Sequence, residues 1–167
     1  ITDLGGSPSD VALASGLSAA AEIPAMLLAG RVASRIGLRG MFVGSALLYA
    51  VCLASWTVID VPAGIIATRA ITGIAFAGVI VGVVLTIAAL LPPHLQATGQ
   101  SLYQTTAFGI AAIIANLVGG LLYEDIGPVA VFGGGAVLAV AAAVLGWVAF
   151  PHGPTSRASP DVARSGA

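Results

Sequence analysis

The sequence predicts an all-α integral membrane protein with five transmembrane helices, and three observations carry that prediction. Hydrophobic residues make up 58% of the 167-residue chain and charged residues 8%, with a mean hydropathy of +1.05; a soluble domain carries about 25% charged residues. Residues 11–30, VALASGLSAAAEIPAMLLAG, hold no charge except Glu22, and about 20 residues of helix cross a hydrocarbon core of roughly 30 Å. RVASRIGLRG follows at once, with Arg31, Arg35 and Arg39 in one short turn; short arginine-rich loops stay on the cytoplasmic side of a membrane.

The elements follow in order. Residues 1–10 form an extracytoplasmic lead-in, where Ser9 or Asp10 is placed to cap the first helix. In the first span, about 11–30, Ser15, Ser18 and Glu22 recur at three and four residues and share one face. Pro24 is expected to bend this span, because it removes one backbone hydrogen bond and clashes with the preceding turn. The second span, about 41–59, has only weakly polar interruptions, with Trp56 at its outer end.

Asp60 and Pro62 turn the chain into the third span, about 62–91, which is rich in small residues. Its Gly78 and Gly82 form a GxxxG pair, read as helix packing. Pro92 and Pro93 stop that helix. The fourth span, about 98–123, carries Gln100, Gln104, Thr105 and Asn116. The fifth, about 129–150, has no polar side chain except the indole of Trp147, and so suits a helix facing lipid on one side. Residues 151–167 are expected to be a disordered cytoplasmic tail.

Charges sort by side. Arg31, Arg35, Arg39, Arg157 and Arg164 fall on the side of the first turn, and Asp3, Asp10, Asp60, Glu124 and Asp125 on the other. This predicts a multi-pass protein of the cell membrane with residue 1 outside and the tail in the cytoplasm. A net charge of -1 without any lysine gives no basic stripe for nucleic acid. The lone Cys52 supports neither an intrachain disulfide nor a cysteine metal site, and His94 and His152 lack companions at ligand spacing. With no Ser/His/Asp set and no phosphate-cradling loop, neither an enzyme nor a cofactor is expected.

Several motifs resemble the major facilitator superfamily of transporters. Gly30-Arg31-Val32-Ala33-Ser34-Arg35-Ile36-Gly37-Leu38-Arg39 looks like the glycine-arginine turn that the family places between the second and third helix of each half. Arg69-Ala70-Ile71-Thr72-Gly73, with the later Pro92-Pro93-His94-Leu95-Gln96-Ala97-Thr98-Gly99-Gln100, resembles the fourth helix of a half and the turn after it. Gly119-Gly120-Leu121-Leu122-Tyr123-Glu124-Asp125-Ile126-Gly127 and Glu22-Ile23-Pro24-Ala25-Met26 resemble the sugar-permease and sugar-efflux branches.

The resemblance implies a twelve-helix carrier in two six-helix halves, of which this chain looks like helices eight to twelve. Its partners would be a small-molecule solute, the lipid bilayer, the N-terminal half of the same transporter and, where coupling is used, protons. Two departures stand out. Ser34 occupies the place where the family turn usually has an acid, and residues 72–83 hold neither the histidine nor the glutamate of the lactose-permease proton relay.

The candidate binding or coupling residues are Ser15, Ser18, Glu22, Arg69, Thr72, Gln104 and Asn116, with Arg31, Arg35, Arg39 and Gln100 at a cytoplasmic turn or gate. Glu22 lies about 18 Å into its span by helical rise, near the midplane, where an ionisable group marks a substrate or proton site or else a structural acid inside the bundle. Arg69 is placed to snorkel, to pair with an acid or to contact solute. Amides such as Gln104 and Asn116 hydrogen-bond hydroxyls and equally join helices. The arginines of the turn serve topology, gating or both. The first, third and fourth spans are expected to line a cavity, with the second and fifth outside. A membrane scaffold remains the alternative to a transporter.

Overall fold

The structure is a computed structural model and describes residues 1–150; the expectation for the tail lies outside the described residues. After a short 3-10 turn, Thr2–Leu4, the chain is helical: α1 (Pro8–Ser55), α2 (Pro62–Leu90), α3 (Pro93–Gln104), a π turn (Thr105–Ile110), α4 (Ala111–Asp125) and α5 (Pro128–Ala149). Because α3, the π turn and α4 form one helix, four helices are long and apolar enough to cross a membrane: Pro8–Ser55, Pro62–Leu90, Pro93–Asp125 and Pro128–Ala149.

The cap of α1 sits earlier than either Ser9 or Asp10. Ser7 is the N-cap, and Asp10 completes a capping box by accepting from the Ser7 backbone N–H at 2.8 Å. This arrangement satisfies two helix-end donors reciprocally.

The spans expected at 11–30 and 41–59 run together as the 48 residues of α1. Its backbone angles stay helical through Pro24, where the bend was expected, and leave the helical region only at Gly37, with φ 76° and ψ 164°. A membrane helix tolerates proline because neighbouring groups satisfy the freed carbonyl. The Gly37 angles are open almost only to glycine.

The two limbs of α1 meet α2 close together. Ser18 of the first limb contacts Gly73, and Ser45 of the second contacts Gly78. Those glycines are about 7.5 Å apart along α2, whereas Ser18 and Ser45 would be about 40 Å apart on a straight helix. The helix therefore doubles back at Gly37.

Small residues let these helices close. A Cβ at Gly82 would sit 3.5 Å from Met41 Cε and Phe42 Cβ, so the Gly78–Gly82 pair receives the second limb of α1. Helix α5 packs on α1 through its buried Ala136, Ala143 and Gly146. The Phe42 ring fills the space a Gly146 side chain would take and stacks on Phe150 with 4.4 Å between centroids.

The third membrane-length helix stands apart. None of α3, the π turn or α4 contains a buried residue. Helix α3 touches α2 and α4 touches α5, with Phe108 of the π turn edge-on to Phe76 at 6.3 Å.

Candidate functional site

Helices α1 and α2 bring the polar stripe of the first span to a helix contact. The Ser18 hydroxyl donates to Glu22 Oε1 at 3.3 Å, one turn along α1. Ser18 is buried and Glu22 partly buried, while Ser15 is exposed at the near end of the stripe. Gly73 makes this possible: any side chain there would run into the Ser18 carbonyl. Thr72, 2% exposed beside it, donates its hydroxyl to the Arg69 carbonyl at 2.8 Å and is satisfied within its own helix.

A cavity of about 490 Å³ opens at one end of this contact, lined among others by Ser15, Trp56, Asp60, Arg69, Tyr123 and Phe132. Trp56 is fixed on two sides. Its indole N–H donates to Thr68 Oγ1 at 2.7 Å, and Phe132 meets it edge-on at 5.3 Å. The Arg69 guanidinium lies over the Trp56 ring, 5.5 Å from its centroid, which holds a cation at the cavity wall by attraction to the ring face.

A second cavity of about 400 Å³ is lined by both limbs of α1 and by α2, through residues such as Ala21, Pro24, Leu28, Met41, Ser45 and Gly78. The two cavities occupy successive stretches of the same helices. Ser15 and Arg69 line the first, Ala21 and Ile74 the second. Ser18 falls between Ser15 and Ala21 along α1 and meets Gly73, while Glu22 adjoins Ala21; neither residue of the hydrogen-bonded pair lines a cavity itself.

Ser15 and Arg69 thus share one cavity, Ser18 meets α2 beside Thr72, and Glu22 is bonded to Ser18 of its own helix; Gln104 and Asn116 lie elsewhere. Both are exposed on the helix that stands apart, and the Asn116 amide donates to its own helix at the Ala112 carbonyl, 2.8 Å away. Gln100 is partly buried near the start of that helix. Arg31 and Arg35 are exposed, whereas Arg39 is partly buried with its guanidinium 3.9 Å from the centroid of the Trp147 ring.

Two residues with roles here carried little sequence signal. Trp56 read as an interfacial ring rather than a cavity wall. Gln96 donates its side-chain amide to the Ala88 and Leu91 carbonyls at 3.0 and 3.1 Å, closing the end of α2 across the Pro92-Pro93 turn. Among the described residues no group of three or more His, Cys, Asp or Glu side chains could hold a metal ion.

The sequence matches the profile of the Major Facilitator Superfamily over residues 1–166. The chain belongs to the major facilitator superfamily. It is accordingly a multi-pass membrane protein of a transporter family whose members are generally not enzymes. Neither a curated protein nor a solved structure matches it. Within a superfamily transporter, a carboxylate paired to a hydroxyl inside a membrane-length helix can accept hydrogen bonds from a polar solute or carry a proton.

Proposed function

We propose that this chain supplies helices eight to twelve of a secondary active transporter that moves a small polar solute, sugar-like or drug-like, across the cell membrane by alternating access. Each limb of α1 is then a separate crossing, which makes five spans with the Gly37 turn at the cytoplasmic face. The N-terminal half of the same transporter supplies the other wall of the pathway, against the exposed helix that carries Gln104 and Asn116. Secondary transporters bind solute near the midplane, between two bundles that rock about it.

The observation that carries this reading is the Ser18–Glu22 hydrogen bond inside a membrane-length helix whose neighbouring residues, Ser15 and Ala21, each line a cavity. A carboxylate at that depth is costly unless paired, and such groups mark solute and proton pathways. Glu22 acts as hydrogen-bond acceptor for the solute or as the coupling acid, Ser15 and Arg69 receive solute in the first cavity, and Gln100 with the arginine turn belongs to the gate.

The test is solute flux in proteoliposomes holding the complete carrier, with a panel of sugars and an imposed proton gradient. Saturable, gradient-driven flux that Glu22→Gln lowers by at least about tenfold, or about 1.4 kcal/mol, is the expected result. Full proton-coupled flux in that variant removes Glu22 from the mechanism. Absence of any solute flux by the wild-type carrier favours the scaffold.

A further inference from the structure

The Arg39–Trp147 pair lies at the arginine turn and lines neither cavity. Arg39 follows the Gly37 break, and Trp147 stands three residues before Phe150, near the end of α5. The stacked Phe42 and Phe150 hold those two helix ends against each other, so Arg39 and Trp147 lie at one membrane face.

The guanidinium is laid over the ring, and its Nε is buried with no hydrogen-bond partner among the described residues. Trp147 itself is 58% exposed. The pair therefore faces the surroundings with one ring side covered by a cation.

Among the described residues, the stretches of chain around the pair carry no acid. The sequence has no Asp or Glu between Glu22 and Asp60, none in α2 and none in α5, while Arg31 and Arg35 add two exposed cations to the same turn. A guanidinium fixed flat at membrane-interface depth presents a fork of N–H donors that matches phosphate oxygens. A tryptophan at that depth belongs among lipid headgroups. The surface potential of anionic lipid attracts basic clusters at this level.

We infer that Arg39, seated on Trp147, binds the phosphate of an anionic phospholipid headgroup, with Arg31 and Arg35 strengthening the local field. The ring fixes the direction of the fork, and the phosphodiester supplies a counter-charge that the described residues around it do not.

The test uses the complete carrier with Trp56→Phe and every tryptophan outside these 167 residues likewise replaced by phenylalanine, so that Trp147 is the sole tryptophan, in vesicles containing either brominated phosphatidylglycerol or brominated phosphatidylcholine. Trp147 fluorescence is expected to be quenched at least about twofold more by the anionic lipid at equal bromine content. Arg39→Gln removes the excess, while Arg31→Gln retains most of it; circular dichroism confirms that each variant is helical. Equal quenching by the two lipids overturns the site. Equal loss in both arginine variants also overturns it, because a diffuse field would then explain the preference. Millimolar inorganic phosphate should leave the excess unchanged; if it abolishes the excess, the site takes free phosphate and the lipid assignment is overturned.

Discussion

Ser18 and Gly73 touch backbone to backbone: the Ser18 carbonyl occupies the space where a side chain at position 73 would begin. The close approach buries Ser18, and the Ser18 hydroxyl in turn holds Glu22. The helix contact and the candidate coupling group are therefore one construction.

Gly73→Ala should separate α1 from α2 at this point. Over-packing of this kind costs about 1–3 kcal/mol, seen as a lower midpoint in thermal unfolding of the detergent-solubilised protein. Gly44→Ala meets nothing within 4 Å and should leave the midpoint in place. Equal shifts in the two variants would count against the contact.

Ser18→Ala removes one donor to Glu22 while leaving the carboxylate. The loss of one hydrogen bond is worth about 1 kcal/mol, so flux by the complete carrier should fall roughly fivefold. The deficit should be smaller than that of Glu22→Gln in the same proteoliposomes.

Gly37→Ala forces a side chain into φ 76°, ψ 164°. Backbone strain of this kind costs about 1–3 kcal/mol. The variant should unfold earlier and be cut more readily by protease near residue 37. Gly30→Ala, with open space around its Cβ, provides the comparison.

Gln96→Ala leaves the Ala88 and Leu91 carbonyls without their side-chain donor. The expected cost is about 1 kcal/mol per lost hydrogen bond at most, since water reaches this turn. Hydrogen exchange should quicken at the last turn of α2 and stay unchanged at the start of that helix.

Membrane class and all-helical character were legible in the sequence, because burial in hydrocarbon demands long uncharged runs whatever the tertiary structure. The polar face of Ser15, Ser18 and Glu22 was legible too, since helical spacing alone places these residues together. What packs against that face was not. Gly73 is one of several small residues in α2, and composition does not say which one meets Ser18. The turn after residue 30 was visible as a cluster of arginines, but its reversal at the single residue Gly37 depends on a backbone angle. Arg39 read as a topological charge because its ring partner lies at the far end of the described chain.

The π turn at Thr105–Ile110 left no mark on composition, and it changes what the helix presents. One residue inserted into an α-helix rotates everything beyond it by about 100°, and a π turn absorbs that extra residue without breaking the rod. Gln100 and Asn116 therefore belong to two differently phased surfaces of one continuous helix. A lineage that dropped the one extra residue would close this stretch to a regular α-helix, and the flanking surfaces, with the ends anchored on α2 and α5, would keep their directions.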